Sequence, residues 1–191
     1  MNWYKKYLIA KKIQPKDKKV SWVFMDVPKK IMDVQKSVAK EIDKDDLYIE
    51  EAETKGDWHY GLETEPHITV KWGVDFDEPD KVIDILNGEK GGNVEVDGIE
   101  IFENDDFDVL VAVCKSKALQ KIHKKLTEEL EIEDTHPEYK PHITIAYMKK
   151  GMAKKYKNTA LKAFTYYLLN FDFDEVTFGS SKDQNTVIKL D

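Results

Sequence analysis

The chain has 191 residues, of which 41% are hydrophobic and 35% are charged, and its formal net charge is −7. This length and composition suit one globular domain with one core. No apolar run approaches the roughly 18 residues of a membrane-spanning helix, so we expect neither a membrane span nor a membrane partner. The single cysteine, Cys114, excludes an intramolecular disulfide framework and a cysteine-rich zinc site, and it favours the reducing cytoplasm.

Lysine supplies every basic side chain of the sequence: all 30 are Lys, and arginine is absent. Arginine is the residue that binds phosphate through two parallel hydrogen bonds. Any phosphate must therefore be bound by lysines, hydroxyls, imidazoles or backbone N–H groups.

The predicted elements are described in chain order. Residues 1–19 contain seven lysines and one acidic residue, which predicts a basic N-terminal arm; residues 20–191 predict a single domain. Apolar runs predict strands at 20–27, 47–51, 68–72, 93–103, 107–114, 143–147, 173–179 and 186–190. Helical periodicity predicts helices at 28–43, 79–87 and 116–130, and a lysine-rich segment and a further helix follow the strand at 143–147. The order lacks a regular βαβ period, so it favours an α+β fold with antiparallel pairing over a doubly wound sheet.

Two similar segments, PHITV at 66–70 and PHITI at 141–145, lie on predicted strands. Alternate side chains of a strand share a face, so His67 points with Thr69 and His142 with Thr144. One such motif alone is more often a structural histidine on a half-buried strand. Two copies, each preceded by proline, favour catalysis. We predict that the segments lie side by side about a pseudo-twofold axis, with both histidines and both threonines facing one cleft.

Such a set suits phosphodiester chemistry that needs no metal or other cofactor. One neutral imidazole removes a proton from the attacking oxygen, and one imidazolium protonates the leaving oxygen. The threonine hydroxyls can bind the non-bridging phosphate oxygens. The sequence does not say which histidine takes which role. A zinc site is the weaker alternative, because only His59 or His136 offers a third imidazole nearby.

Other side chains are candidates for substrate binding. Strict alternation places Lys71 on the face of His67 and Thr69, where its ammonium would reach the phosphate. The same alternation places Trp72 and Tyr147 with the apolar anchors, which are the isoleucine and valine side chains on the other face of these strands. For both residues a role in the core is therefore the preferred interpretation, and base stacking is the alternative.

The segment 149–157 has five lysines and no acid, and it directly follows the second motif. It is either a solvated loop or a lid that steers an anionic substrate, with Gly151 as hinge and with Lys154 and Tyr156 on the ligand. Tyr139, beside the second motif, is a further candidate for base stacking.

The twin motifs resemble the 2H phosphoesterase superfamily, which includes LigT-like 2′-5′ RNA ligases and cyclic phosphodiesterases. The resemblance covers roughly residues 20–190. It implies a two-lobed fold, with pseudo-twofold antiparallel sheets, outer helices and a central cleft. It also implies that His67, Thr69, His142 and Thr144 are catalytic without metal. The runs GLETEPHITV at 61–70, IFENDDFDVL at 101–110, HITIAY at 142–147 and DEVTF at 174–178 are further similar to phage-encoded members, the anti-CBASS (Acb-type) group. That narrower resemblance implies cleavage of the cyclic di- and trinucleotides that serve as bacterial antiviral signals, in the host cytoplasm.

Three functions remain open on the sequence. The first is opening of a cyclic oligonucleotide at a 3′-5′ bond. The second is the same chemistry on RNA ends, as a 2′,3′-cyclic phosphodiesterase or 2′-5′ RNA ligase; the acidic chain without an extended basic stripe argues against a long nucleic acid partner. The third is a nucleotide sponge that binds without cleaving, which the intact motifs disfavour.

Overall fold

A computed structural model describes residues 20–49, 61–132, 138–166 and 169–191, apart from the side chain of Tyr166. The predicted basic arm at 1–19, His59 and His136 lie outside these ranges.

The described residues form strands and helices in mixed order. The strands are β1 (Ser21–Asp26), β2 (His67–Val74), β3 (Gly92–Glu103), β4 (Phe107–Lys115), β5 (His142–Lys149), β6 (Asn170–Phe173), β7 (Glu175–Gly179) and β8 (Asn185–Lys189). The α-helices are α1 (Lys29–Lys40), α2 (Asp80–Leu86), α3 (Lys117–Leu130) and α4 (Lys157–Tyr166). Short 3-10 helices span Lys44–Asp46 and Met152–Lys155.

The eight strands form one curled antiparallel sheet in the order β6-β3-β4-β5-β2-β1-β7-β8. The order divides into two halves of four strands that meet at β2 and β5, the strands that carry the twin motifs. These two strands pair only at Ile68 and Ile143, so the halves are related by an approximate twofold axis through that pair. The α+β fold and its pseudo-twofold sheet are confirmed.

The helices lie on one face of this sheet. Their apolar stripes, such as Ile31, Val34 and Val38 of α1 and Leu119, Ile122 and Leu126 of α3, pack with the Ile68 and Ile143 side of the central strands. Ser116 caps α3 by accepting a hydrogen bond from the N–H of Leu119 at 3.3 Å. We call the opposite side of the sheet, which carries His67 and His142, the open face. None of the described helices is long and apolar enough to cross a membrane.

The predicted strand at 47–51 is wrong over its described part. Residues 47–49 make one isolated bridge, between Leu47 and Met148, and the N–H of Tyr48 donates to the carbonyl of Tyr147 at 3.0 Å. The segment thus supports the edge of β5 without forming a strand of the sheet.

A half-buried ionic contact fixes the turn between β7 and β8. The carboxylate of Asp77 accepts hydrogen bonds from the Ser181 N–H and the Ser21 hydroxyl, both at 3.1 Å, and pairs with Lys182 at 3.1 Å. The hydrogen bond from the Ser181 side chain, then that from Lys182, lower the pKa of Asp77 to about 2.

We expect Asp77→Asn to lower the thermal unfolding midpoint at neutral pH. A carboxyl group with a lower pKa in the folded state stabilises the fold above its unfolded pKa of about 4, and that contribution is lost as pH falls toward 2. The unfolding midpoints of wild type and Asp77→Asn should therefore differ at pH 7 and converge as the pH falls to 2. The exposed Asp75→Asn is the matched control, and an equal midpoint for wild type and Asp77→Asn at pH 7 would contradict the assignment.

Candidate active site

The register of β2 and β5 brings the four predicted catalytic residues together. Ile68 faces Ile143 across an antiparallel pair, so the residues on either side of them fall into two facing couples. His67 lies beside Thr144, and Thr69 lies beside His142, with the two imidazoles at opposite corners. All four are half-buried, whereas Ile68 and Ile143 are fully buried on the helix side.

Each histidine is oriented by its own strand in the same way. The Nδ1 of His67 lies 2.8 Å from the carbonyl of Glu65, and the Nδ1 of His142 lies 2.8 Å from the carbonyl of Lys140. The intervening proline fixes its own φ and keeps the residue before it extended, which aims that carbonyl at the ring. A carbonyl can only accept a hydrogen bond, so Nδ1 carries the hydrogen and donates to it, and in the neutral ring the lone pair lies on Nε2. Both histidines therefore present the same nitrogen for proton transfer.

A β-bulge follows each motif at the same position. Thr69 pairs with Phe24 and Lys71 with Val23, which leaves Val70 as an extra residue in β2. On β5, Thr144 pairs with Val111 and Ala146 with Leu110, which leaves Ile145 as the extra residue. An extra residue reverses the alternation of all side chains after it.

Because of the bulges, Lys71, Trp72 and Tyr147 lie on the opposite face of the sheet from the predicted one. Trp72 lies on the open face, where its ring is 5.7 Å from Trp22, and the Trp22 ring is 4.8 Å from His67. Tyr147 joins the open-face cluster around Phe107, at a ring distance of 5.9 Å. The prediction that Trp72 and Tyr147 lie with the apolar anchors is wrong.

Lys71 points to the helix side and away from His67, so its predicted face is also wrong. It is 2% exposed, and its ammonium donates to the Thr127 hydroxyl at 2.9 Å and the Ile132 carbonyl at 2.8 Å. Tyr139 lies on the helix side as well. Its ring stacks on His123 at 3.9 Å, and its hydroxyl donates to the carbonyl of Thr69 at 3.0 Å. Burial raises the pKa of the Tyr139 phenol. The structure therefore does not bring Lys71 or Tyr139 to the open face.

The lysine-rich segment is attached to the fold by its own ion pairs. Lys154 pairs with Glu103 at 3.6 Å, and Lys155 pairs with Asp46 at 3.0 Å. The Tyr156 hydroxyl donates to Asp46 at 2.7 Å, a hydrogen bond that raises the pKa of Tyr156 and lowers that of Asp46. Lys154 and Tyr156 are thus placed near the far end of β5, and these contacts argue against the predicted lid.

Gly151, the predicted hinge, is also held in place by hydrogen bonding. The N–H of Gly151 donates to the buried carboxylate of Asp108 at 2.7 Å, and Lys150 pairs with the same group at 3.0 Å. The φ of Gly151 is 83°, a left-handed value that glycine adopts at little cost, so this residue makes a fixed turn.

Three aromatic residues that sequence reasoning did not select touch the histidines. Trp22 and Phe24 contact the His67 ring edge-on at 4.8 and 5.7 Å, and Phe102 contacts the His142 ring edge-on at 4.9 Å. Gly179 lies beside Trp22 and leaves room for its ring, because a Cβ at this glycine would come within 2.5 Å of the indole nitrogen. Each lies on an apolar strand, and its contact with a histidine depends on how β1 and β3 pair with their neighbours, which the sequence alone does not show.

Charged groups also border the open face. Asp26 is the cross-strand partner of His67, and its carboxylate accepts a hydrogen bond from the Thr177 hydroxyl at 3.3 Å. Near His142, Lys140 pairs with Glu100 at 2.5 Å and lies over the Phe102 ring at 5.9 Å. Across the described ranges, no three His, Cys, Asp or Glu side chains converge as metal ligands would.

The family is decided by comparison with a family model. The model of the 2′-5′ RNA ligase superfamily matches residues 84–185, which is slightly more than half of the chain and includes His142 and Thr144. The chain belongs to the 2′-5′ RNA ligase superfamily. The predicted 2H phosphoesterase resemblance is thereby confirmed at the superfamily level, and the anti-CBASS branch stays a prediction. His67 and Thr69 lie before the matched range, so the strand register is what connects them to it.

Solved structures share the fold. The chain resembles LigT of E. coli complexed with NADP⁺ at a TM-score of 0.55 and 14% identity, covering 91% of this chain and 95% of that one. It resembles Usb1 of Kluyveromyces marxianus at 0.54 and 11%, covering 92% and 100%. TT0787 of Thermus thermophilus gives 0.54 and 12%, covering 90% and 94%. No curated protein matches the chain in sequence.

Proposed function

We propose that this protein is a phosphodiesterase that uses His67 and His142 as an acid–base pair and needs no metal. The observation that carries the proposal is the pairing of Ile68 with Ile143, which puts two imidazoles of the same tautomer at opposite corners of one face. A scissile phosphate between them has one Nε2 on the side of the attacking oxygen and the other on the side of the leaving oxygen.

The reaction proceeds by attack of a ribose 2′-hydroxyl on the adjacent 3′-5′ phosphodiester. One neutral imidazole takes the hydroxyl proton as the new P–O bond forms. The other, as imidazolium, gives its proton to the 5′-oxygen as the old P–O bond breaks. The products are a 2′,3′-cyclic phosphate and a free 5′-hydroxyl. Thr69 and Thr144 donate hydrogen bonds to the non-bridging oxygens, where negative charge increases in the transition state.

The substrate class that we propose is a cyclic di- or trinucleotide. Aromatic rings flank both histidines, with Trp22 and Trp72 on one side and Phe102 and Tyr147 on the other. Such rings offer a stacking surface to the base on each side of the scissile phosphate. The net charge of −7 suits a small anionic ligand better than a long polyanion. Within this proposal, the protein removes antiviral signals of the CBASS type for a bacteriophage, in the host cytoplasm.

A second candidate uses the same site on RNA ends. Membership of the 2′-5′ RNA ligase superfamily favours it, and Usb1 of Kluyveromyces marxianus has been solved with uridine monophosphate. The two candidates share the acid–base pair and differ in the length and closure of the substrate.

The test is a chromatographic assay of the purified protein in EDTA. The panel contains cyclic di- and trinucleotides, their linear counterparts and an RNA with a 2′,3′-cyclic end. We expect linear products from the cyclic substrates and no turnover of a matched 2′-deoxy cyclic dinucleotide, because that analogue lacks the attacking hydroxyl.

Each other outcome identifies an alternative. Turnover of the RNA end alone assigns the protein to RNA processing, and intact ligand retained at one equivalent indicates a sponge. Activity that EDTA abolishes, or cleavage of the 2′-deoxy analogue, contradicts the proposed chemistry.

A further inference from the structure

The two β-bulges are held from the helix side by polar side chains. The carbonyl of Val70 lies 2.7 Å from Nδ1 of His123 on α3, and the carbonyl of Ile145 accepts a hydrogen bond from Nε2 of Gln35 on α1 at 3.4 Å. Val70 and Ile145 are the extra residues of their strands. In each half of the sheet, a polar side chain of a helix thus contacts the carbonyl of the extra residue, closely at Val70 and at a longer distance at Ile145.

A bulge needs such a partner. The extra residue is displaced from the ladder, and Val70 and Ile145 are at most 1% exposed, so water does not satisfy their carbonyls. The carbonyl of Ile145 also accepts a hydrogen bond from the N–H of Glu63 at 3.1 Å. At Val70 the side-chain donor His123 supplies the hydrogen bond to the displaced carbonyl, and at Ile145 the side chain of Gln35 adds a second hydrogen bond.

His123 and Gln35 are unusual residues for their positions. His123 is 9% exposed on the apolar stripe of α3, and Gln35 is fully buried on the apolar stripe of α1. Burying a polar group costs free energy unless its hydrogen bonds are made. The Gln35 Nε2 also donates to the carbonyl of Glu63 at 2.8 Å, while its Oε1 has no hydrogen-bond partner in the described part of the chain. An apolar residue would fill either position at lower cost, which indicates that the donors serve the bulges.

The bulges decide what faces the substrate. Without the extra residue, strand alternation would put Lys71 and Ala146 on the open face in place of Trp72 and Tyr147. Because each bulge follows its His-x-Thr motif, its loss moves the aromatic ring and leaves the catalytic side chains in register.

We propose that His123 and Gln35 are positioning residues that fix the two bulges and so place Trp72 and Tyr147 beside the catalytic histidines. The proposal rests on the proposed function only for its effect on turnover. The placement of Trp72 is measurable without any substrate, because its indole lies 5.7 Å from that of Trp22, at an angle of 62°. Two indoles at this separation and angle give a coupled signal in far-ultraviolet circular dichroism.

The experiment compares four variants with wild type. His123→Leu removes the donor and keeps the bulk, whereas His123→Asn keeps an N–H donor near the position of Nδ1. Gln35→Met removes the donor at the Ile145 bulge and also keeps the bulk of the side chain. Ile122→Val is the matched control, because it loosens the same helix at a fully buried position.

We expect His123→Leu to lose the coupled indole signal and His123→Asn and Ile122→Val to keep it. With substrate, we expect His123→Leu and Gln35→Met to raise KM about tenfold to a hundredfold, the effect of losing a stacked base, with a smaller change in kcat. An unchanged indole signal in a folded His123→Leu overturns the proposal. If His123→Leu fails to fold, loss of the signal in His123→Asn overturns it instead. If His123→Leu loses the coupled signal and wild type cleaves no substrate, the positioning proposal is supported and the proposed function is contradicted.

Discussion

Replacement of His67 or His142 by alanine should reduce kcat by about 10²- to 10⁴-fold in EDTA, with little change in substrate affinity. In the proposed mechanism His67 and His142 each transfer one proton in the same step, so neither can compensate for the loss of the other. The Nδ1 hydrogen bonds to Glu65 and Lys140 fix the reactive nitrogen, and these contacts are local to each strand. Single-turnover rates and ligand affinity, measured on each variant, separate the chemical step from binding.

The double variant His67→Ala/His142→Ala provides the sharper test. Residues that act as one unit are strongly non-additive, so the double variant should be about as slow as the slower single variant. Added imidazole should restore part of the rate in each single variant and none in the double. The thermal unfolding midpoint serves as the control, since both side chains are half-buried. Full turnover in either single variant would refute the acid–base pair.

The placement of the two His-x-Thr motifs was predictable because each motif occupies the regular part of its strand. From Pro66 to Thr69 and from Pro141 to Thr144, burial alternates as simple strand periodicity requires. The repetition of the motif then predicted a pseudo-twofold sheet, which the pairing of Ile68 with Ile143 confirms. Strand alternation and the repetition of the motif were sufficient to predict that the two histidines and the two threonines share one face.

The predicted faces were wrong from the next residue onward. Val70 and Ile145 are β-branched residues that suit a regular strand, and nothing local marks a bulge there. The partners that hold the bulges come from elsewhere in the chain: His123 is 53 residues from Val70, and Gln35 is 110 residues from Ile145. A one-residue shift exchanges the two faces, so Lys71 and Trp72 changed places.

Long-range polar contacts account for the other differences. Tyr156 was a candidate for the ligand because it follows a cluster of lysines, yet its hydroxyl bonds to Asp46, 110 residues away. The acidic residues that pair with Lys150, Lys154 and Lys155 are also distant along the chain: Asp108, Glu103 and Asp46. A local charge run in the sequence therefore does not predict a free positive surface unless its ion-pair partners are known.

The threonines should provide the second-largest effect. Thr69→Val and Thr144→Val keep the shape and the β-branch of the side chain, so the strands should form as in wild type, and only the hydroxyl donor is lost. A donor aimed at the non-bridging phosphate oxygen binds most strongly when charge accumulates there, so we expect kcat to fall by about 10²-fold with a smaller change in KM. Thr69→Ser and Thr144→Ser keep the hydroxyl and should recover most of the rate.

The matched control is Thr186→Val on β8, a half-buried threonine at the outer edge of the same sheet. It should leave kcat unchanged, and the comparison removes any general effect of replacing threonine by valine in this fold. Because Thr144 lies beside His67 and Thr69 beside His142, each valine variant tests one corner of the proposed phosphate site. Equal rates for the valine and serine variants would show that the hydroxyls do not contact the phosphate, and the transition-state charge would then need other donors on the open face.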